Sequence, residues 1–95
     1  MNLYLVSQDV NNDYDTYDSF VCVADNEGDA RKIHPASSDY QVVGGNWCYR
    51  TELGDLQIYS NLEWCLCEDV DVQLIGIADS KYTEEQVILA SFNAG

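Results

Sequence analysis

The chain has 95 residues, 46% of them hydrophobic and 12% aromatic, with one proline; that suffices for one modest core and is the opposite of a disordered composition. Seventeen acids against four bases give a net charge of −13, which disfavours direct binding to nucleic acid or anionic membrane and favours basic proteins or cations. The bases are confined to Arg31, Lys32, Arg50 and Lys81, so residues 1–30 and residues 51–80 each hold seven acids and no base.

Asn2–Gln8 alternates, with Leu3, Leu5 and Ser7 against Tyr4, Val6 and Gln8, and predicts a strand. It lacks the basic start of a secretory leader, and no run approaches the ~18 apolar residues of a membrane span. With four cysteines and neither feature, the expectation is a cytoplasmic protein with reduced thiols. Asp9–Asp18 follows, D-V-N-N-D-Y-D-T-Y-D, with four carboxylates, two Asn and two Tyr. Burying unpaired carboxylates costs several kcal/mol each, so this segment faces water, a cation or a basic partner.

Phe20–Ala24 is wholly apolar, as expected of a strand buried on both faces. Asp25 has the chemistry of a helix N-cap, Glu27 and Asp29 suit the first turn, Arg31 and Lys32 suit the last, and Pro35 stops the run. These marks predict the main helix over about 26–34, with Ala30 and Ile33 facing a sheet. Tyr40–Val43 predicts a short strand before a Gly44-Gly45-Asn46 turn. Trp47–Leu53 and Leu56–Ser60 alternate on either side of Gly54-Asp55, the pattern of a hairpin with a two-residue turn. Ser60–Cys67 fits either state: Ser60 and Glu63 form a capping box, while Leu62, Trp64 and Leu66 alternate. Val70–Ala78 predicts a strand, and the nearly all-apolar Gln86–Phe92 predicts a final, central one. Asn93-Ala94-Gly95 reads as a frayed end. The sum is a single α+β domain over residues 1–95, an antiparallel-rich sheet with one main helix packed on it.

Three stretches carry a resemblance. Y-D-T-Y-D-S at Tyr14–Ser19, A-R-K-I-H-P at Ala30–Pro35 and I-L-A-S-F-N-A-G at Ile88–Gly95 resemble a group of short, acidic proteins encoded by bacteriophages and prophages. The resemblance covers the first third and last quarter of the chain. It implies a setting, a phage protein acting inside a bacterium, and no shared activity or site residues. Small acidic phage proteins include inhibitors of host defence, anti-CRISPRs among them, some of which imitate nucleic acid; that link is analogy.

The candidate chemistries differ in what the spacing supports. Asp9, Asn11, Asp13 and Asp15 occupy the first four ligand positions of an EF-hand-like loop, but Tyr14 stands where the turn needs Gly and Phe20 where a bidentate Glu belongs. Cys22, Cys48, Cys65, Cys67 and His34 lack zinc-knuckle spacing, and Cys22 lies in the most apolar run, as a core residue would. His34 suits a cation or hydrogen-bonding group at a helix end, with no motif tying it to a nucleophile. The expectation is therefore a non-enzymatic binding protein with no cofactor. Its partner would be a basic, nucleic-acid-handling bacterial protein, which it inhibits. Asp9, Asp13, Tyr14, Asp15, Tyr17 and Asp18 are the expected contacts, together with Asp69 and Asp71, which two-residue spacing along a strand would set about 6.7 Å apart on one face. The alternatives are a divalent-metal module centred on residues 9–18 and a small-ligand-binding protein with a deep pocket of Tyr and Trp.

Overall fold

The structure, a computed structural model, describes residues 1–12, 14–58 and 63–93. The larger of its two antiparallel sheets holds β1 (Asn2–Ser7), β2 (Thr16–Ala24), β6 (Asp71–Ile77) and β7 (Gln86–Asn93), in the order β6-β1-β2-β7. The smaller holds β3 (Gln41–Val43), β4 (Asn46–Arg50) and β5 (Leu56–Ile58) in sequence order. Helical structure among the described residues is one turn, α1 (Glu27–Ala30), and a 3-10 turn over Cys67–Asp69.

The domain is therefore mostly β, and the expected α+β fold with a main helix over about 26–34 is corrected. The helix starts where its cap chemistry says, one residue late: the Asn26 side chain accepts from the Asp29 amide at 2.8 Å. It does not propagate. Gly28 sits inside it at a cost of about 1 kcal/mol, and Ala30 is its one buried residue, so packing does not repay the nucleus. The chain leaves at Arg31 and carries His34 into the core instead, where it is 3% exposed.

Two hairpins build the smaller sheet. Gly44 and Gly45, with φ of 60° and 83°, form the two-residue turn between Val43 and Asn46; two successive left-handed residues match the twist of the strands they join. The β4–β5 hairpin exists as expected, but Arg50 pairs with Leu56, so Thr51–Asp55 forms a five-residue loop rather than a two-residue turn. Thr51 closes it by bonding the Asp55 carbonyl at 2.8 Å. In the ambiguous stretch, 60–62 lies outside the described residues, and the chain beyond it enters the 3-10 turn.

One face of the larger sheet is the core side. Tyr4, Val6, Phe20 and Cys22 pack there against Ala30, Trp47, Trp64, Cys65 and Val70. The Phe20 and Trp64 rings lie 5.3 Å apart, and the Trp47 indole donates to the Cys65 carbonyl at 2.7 Å. Cys22 is fully buried, as its apolar run implies.

Strand alternation aims the intervening residues at the opposite face. There Leu3 pairs with Val23, Leu5 with Val21 and Ser7 with Ser19, flanked by Leu89 and Ser91 of β7 and by Asp71 and Gln73 of β6. Val23 is fully buried, Leu3, Leu5 and Val21 are half-buried, and Leu89 is 70% exposed. Three bulges, with Asp18, Ile75 and Ile88 as the extra residues, twist the edges. The apolar Gln86–Phe92 run is an edge strand and not a central one: β7 pairs with β2 alone among the described strands. Among the described residues, no helix is long and apolar enough to cross a membrane.

Candidate functional site

The antiparallel register decides where the acidic segments go. Asp71 opens β6 opposite Ser7, the last residue of β1. The next residue, Gln8, donates its amide to the Asp18 carbonyl at 3.1 Å. Tyr17 donates to the Glu63 carbonyl at 2.8 Å, and Asp15 to the Asn93 carbonyl at 2.6 Å. Four chain segments thus meet at one end of the sheet, and they bring Asp9, Asp15 and Asp18 beside Asp71, with Asp69 two residues before it. All five carboxylates are exposed, and the segments 1–18 and 63–71 supply no base of their own.

Gln8 is the device that holds this loop, and sequence pattern alone gave it no role beyond strand alternation. Its side chain is buried. The carbonyl oxygen accepts from the Val10 and Asn11 amides at 2.9 and 2.8 Å. The amide nitrogen donates to the Asn11 and Tyr17 carbonyls at 2.6 and 2.9 Å. Four bonds from one side chain replace the ladder that the backbone gives up on leaving β1. Asp15 turns the chain back toward β2 at φ 59°, in the left-handed region that Asp tolerates better than most residues.

The expected contact residues divide in this geometry. Tyr14 stands 77% exposed in the acidic segment. Tyr17 turns inward: it packs against the core and its ring lies 4.7 Å from that of Phe92. Asp13 lies outside the described residues. Asp69 ends the 3-10 turn and Asp71 begins β6, so the two do not share one strand face, although both stay exposed at the same end. Arg31 reaches this end from α1. Its Nη1 donates to the Val70 carbonyl, between Asp69 and Asp71, at 2.8 Å, and its Nη2 pairs with Glu27 at 3.1 Å.

Of the four EF-hand-like positions, Asp13 lies outside the described residues, which leaves Asp9, Asn11 and Asp15. Asn12 donates to the Asp9 carboxylate at 3.1 Å, and the Asn11 backbone is committed to Gln8. Among the described residues, the carboxylate trio close enough to share an ion is Asp25, Asp29 and Glu85, at the opposite end of the sheet. Burial and the Asp29 and Asp25 charges raise the Glu85 pKa, against an opposing hydrogen bond from the Asp25 amide.

His34 is not the helix-end cation that its sequence position suggests. It lies between the rings of Tyr40, 4.6 Å away, and Trp47, 4.9 Å away. Burial lowers its pKa to about 4, so it is neutral at pH 7. Nδ1 accepts from the Ala36 amide at 3.0 Å, which puts the proton of the neutral ring on Nε2. Burial, reinforced by Glu85, pushes the Cys22 thiol up to about 12; burial, reinforced by Asp69, pushes Cys65 up to about 11. Such thiols are poor nucleophiles at neutral pH.

A groove of about 500 Å³ runs between residues 32–38 and 84–87, with Tyr40 on its wall. Lys32, Glu84 and Glu85 give it mixed charge, and no Trp lines it. The deep Tyr- and Trp-lined pocket expected of a small-ligand protein is therefore not this groove.

The fold and this site define a class: a small two-sheet antiparallel β domain with a base-poor acidic end. No protein-family model matches this chain, and no curated protein or solved structure matches it.

Proposed function

We propose that this chain is a non-enzymatic binding protein whose acidic end engages a basic, nucleic-acid-handling bacterial protein and blocks it. The observation that carries this reading is the convergence of Asp9, Asp15, Asp18, Asp69 and Asp71, exposed, on one end of one sheet. Charges so gathered steer a cationic partner and raise its rate of encounter. Tyr14 supplies the amphipathic ring that holds the complex once formed. The anchored Gln8 loop presents these groups with little left to order on binding.

The sequence resemblance to acidic phage proteins supports the setting: expression in the bacterial cytoplasm and a host defence protein as the target. Competition with nucleic acid for a basic groove is the mechanism that this chemistry favours. The test is an affinity pull-down from bacterial lysate at about 50 mM and about 500 mM salt, where screening shortens from roughly 14 Å to roughly 4 Å. A basic protein retained at low salt and released at high salt supports the proposal. Retention that does not change with salt contradicts it.

A further inference from the structure

We propose that the open face of the larger sheet docks the same face of a second copy of this chain, closing a two-fold β-sandwich. An antiparallel sheet that leaves one face to water alternates apolar and polar residues, with the polar set outward. This sheet does not. Its outward set includes Leu3, Leu5, Val21 and Leu89, and Phe20–Ala24 has the sequence of a strand covered on both sides. Among the described residues the main core cluster lies on the other side, while on this side Val23 is already fully buried within the chain and Leu3, Leu5 and Val21 are half-buried. The chain's extents of 36 × 32 × 21 Å are those of a flattened body, and it exposes 6030 Å², roughly 500 Å² more than a compact chain of its mass.

Charge selects the occupant. Two bodies of −13 can meet only where neither presents its charge. Of the outward positions paired across the four strands, Asp71 at one corner is the one ionisable group, with exposed Asp18 bulged beside Ser19 at the same end; serines, glutamines and Gly76 complete the rest. The face thus rejects nothing about a second copy, whereas the acidic ends would.

Area fits a dimer of modest strength. Four strands about 4.8 Å apart and seven residues long at about 3.4 Å each give about 460 Å² of flat area per copy. The pair therefore buries about 900 Å² before side-chain relief is counted, near the ~1,000 Å² of a biological interface. Two such sheets pack about 10 Å apart with strands near −30°. Because the closed pair is isologous, growth stops at two.

This inference does not rest on the acidic-end reading, and its salt dependence has the opposite sign. Salt screens the repulsion between copies and favours the dimer, so the two proposals fail separately. The experiment is sedimentation equilibrium of the full chain over a concentration series at about 50 mM and about 500 mM salt. Leu89→Asp, Leu5→Thr and, as a distant control, Leu53→Asp in the 90%-exposed loop position are run beside the wild type. The proposal expects a monomer–dimer equilibrium tightened by salt, weakened at least about tenfold by Leu89→Asp, weakened less by Leu5→Thr, and unchanged by Leu53→Asp. A monomer at every concentration and salt overturns it. So does assembly beyond two copies, or a dimer indifferent to Leu5→Thr, since central-strand Leu5 takes no part in edge-to-edge pairing through β7.

Discussion

The acidic end and the open face belong to the same four strands, yet they are held and charged in opposite ways. The end is polar, exposed and fixed by hydrogen bonds, with Gln8 alone making four. The face mixes aliphatic side chains with serines and glutamines, carries little charge and is fixed by strand pairing. One antiparallel register produces both. It brings the strand ends, where the carboxylates lie, to a common edge, and it sorts every second side chain onto a common plane. The contrast teaches that a net charge of −13 is not a uniform coat. Within the larger sheet it is displaced toward the strand ends, which leaves one face with little charge.

The largest way to break the comparison is to remove what lies beneath both regions. Phe20 is 1% exposed on the core side of β2, against Trp64. Phe20→Ala is expected to cost about 3–5 kcal/mol in urea denaturation, with the end and the face lost in one transition. A loss under about 1 kcal/mol would show that the core does not couple them.

Gln8→Ala acts on the end alone. It leaves the Val10 and Asn11 amides without their acceptor, at about 2–3 kcal/mol in all. Amide hydrogen exchange should accelerate at these two positions while β2 keeps its protection. Equal acceleration across the sheet would contradict a local anchor.

Acid sharpens the contrast from a third place, since His34 belongs to neither region. Its pKa is about 4 in the folded chain and ~6.5 when unfolded. The unfolded state therefore binds the proton first as pH falls. The neutral-histidine contribution is complete above pH ~6.5 and is lost progressively toward pH ~4, of order 2–3 kcal/mol. Stability against pH should show this slope in the wild type, and His34→Gln should flatten it. An identical slope in both proteins would refute the assignment.

A smaller effect belongs to Asn26, whose cap bond stops at one turn. Asn26→Ala should cost about 1 kcal/mol and leave both regions as they are. Smallest of all, Leu89→Ser should change the stability of the monomer by less than about 0.5 kcal/mol, because Leu89 is already 70% exposed. Its effect should appear in self-association and not in denaturation.

How far the sequence disclosed this arrangement follows from the reach of each signal. Alternation in Leu3–Val6 and the glycine pair at 44–45 act over two to five residues, and strand β1 and the first hairpin stand where those residues put them. The Asn26 cap lies beside the Asp25 expected to fill that role. What lay beyond local chemistry was lateral order. An all-apolar run such as Gln86–Phe92 fits a central strand on composition, and only the pairing of β7 with β2 makes it an edge. The length of α1 was likewise decided by packing: past Ala30 the chain buries His34 between Tyr40 and Trp47 rather than adding a second helical turn. The acid-rich segments were legible as exposed. Their meeting at one end was not, because it depends on the β1–β6 register, and the two are some sixty residues apart in sequence. Gln8 was hidden for a related reason: four bonds from one side chain leave no periodic trace.

The proposed binding role of the acidic end is tested most directly by the salt dependence of affinity for a captured basic partner. Wild type is compared with the variant carrying Asp9→Asn, Asp15→Asn, Asp18→Asn and Asp71→Asn. Wild-type affinity should fall steeply between about 50 mM and about 500 mM salt, and the variant should bind weakly with a nearly flat dependence. Equal affinity and equal salt dependence for the two proteins would contradict the account.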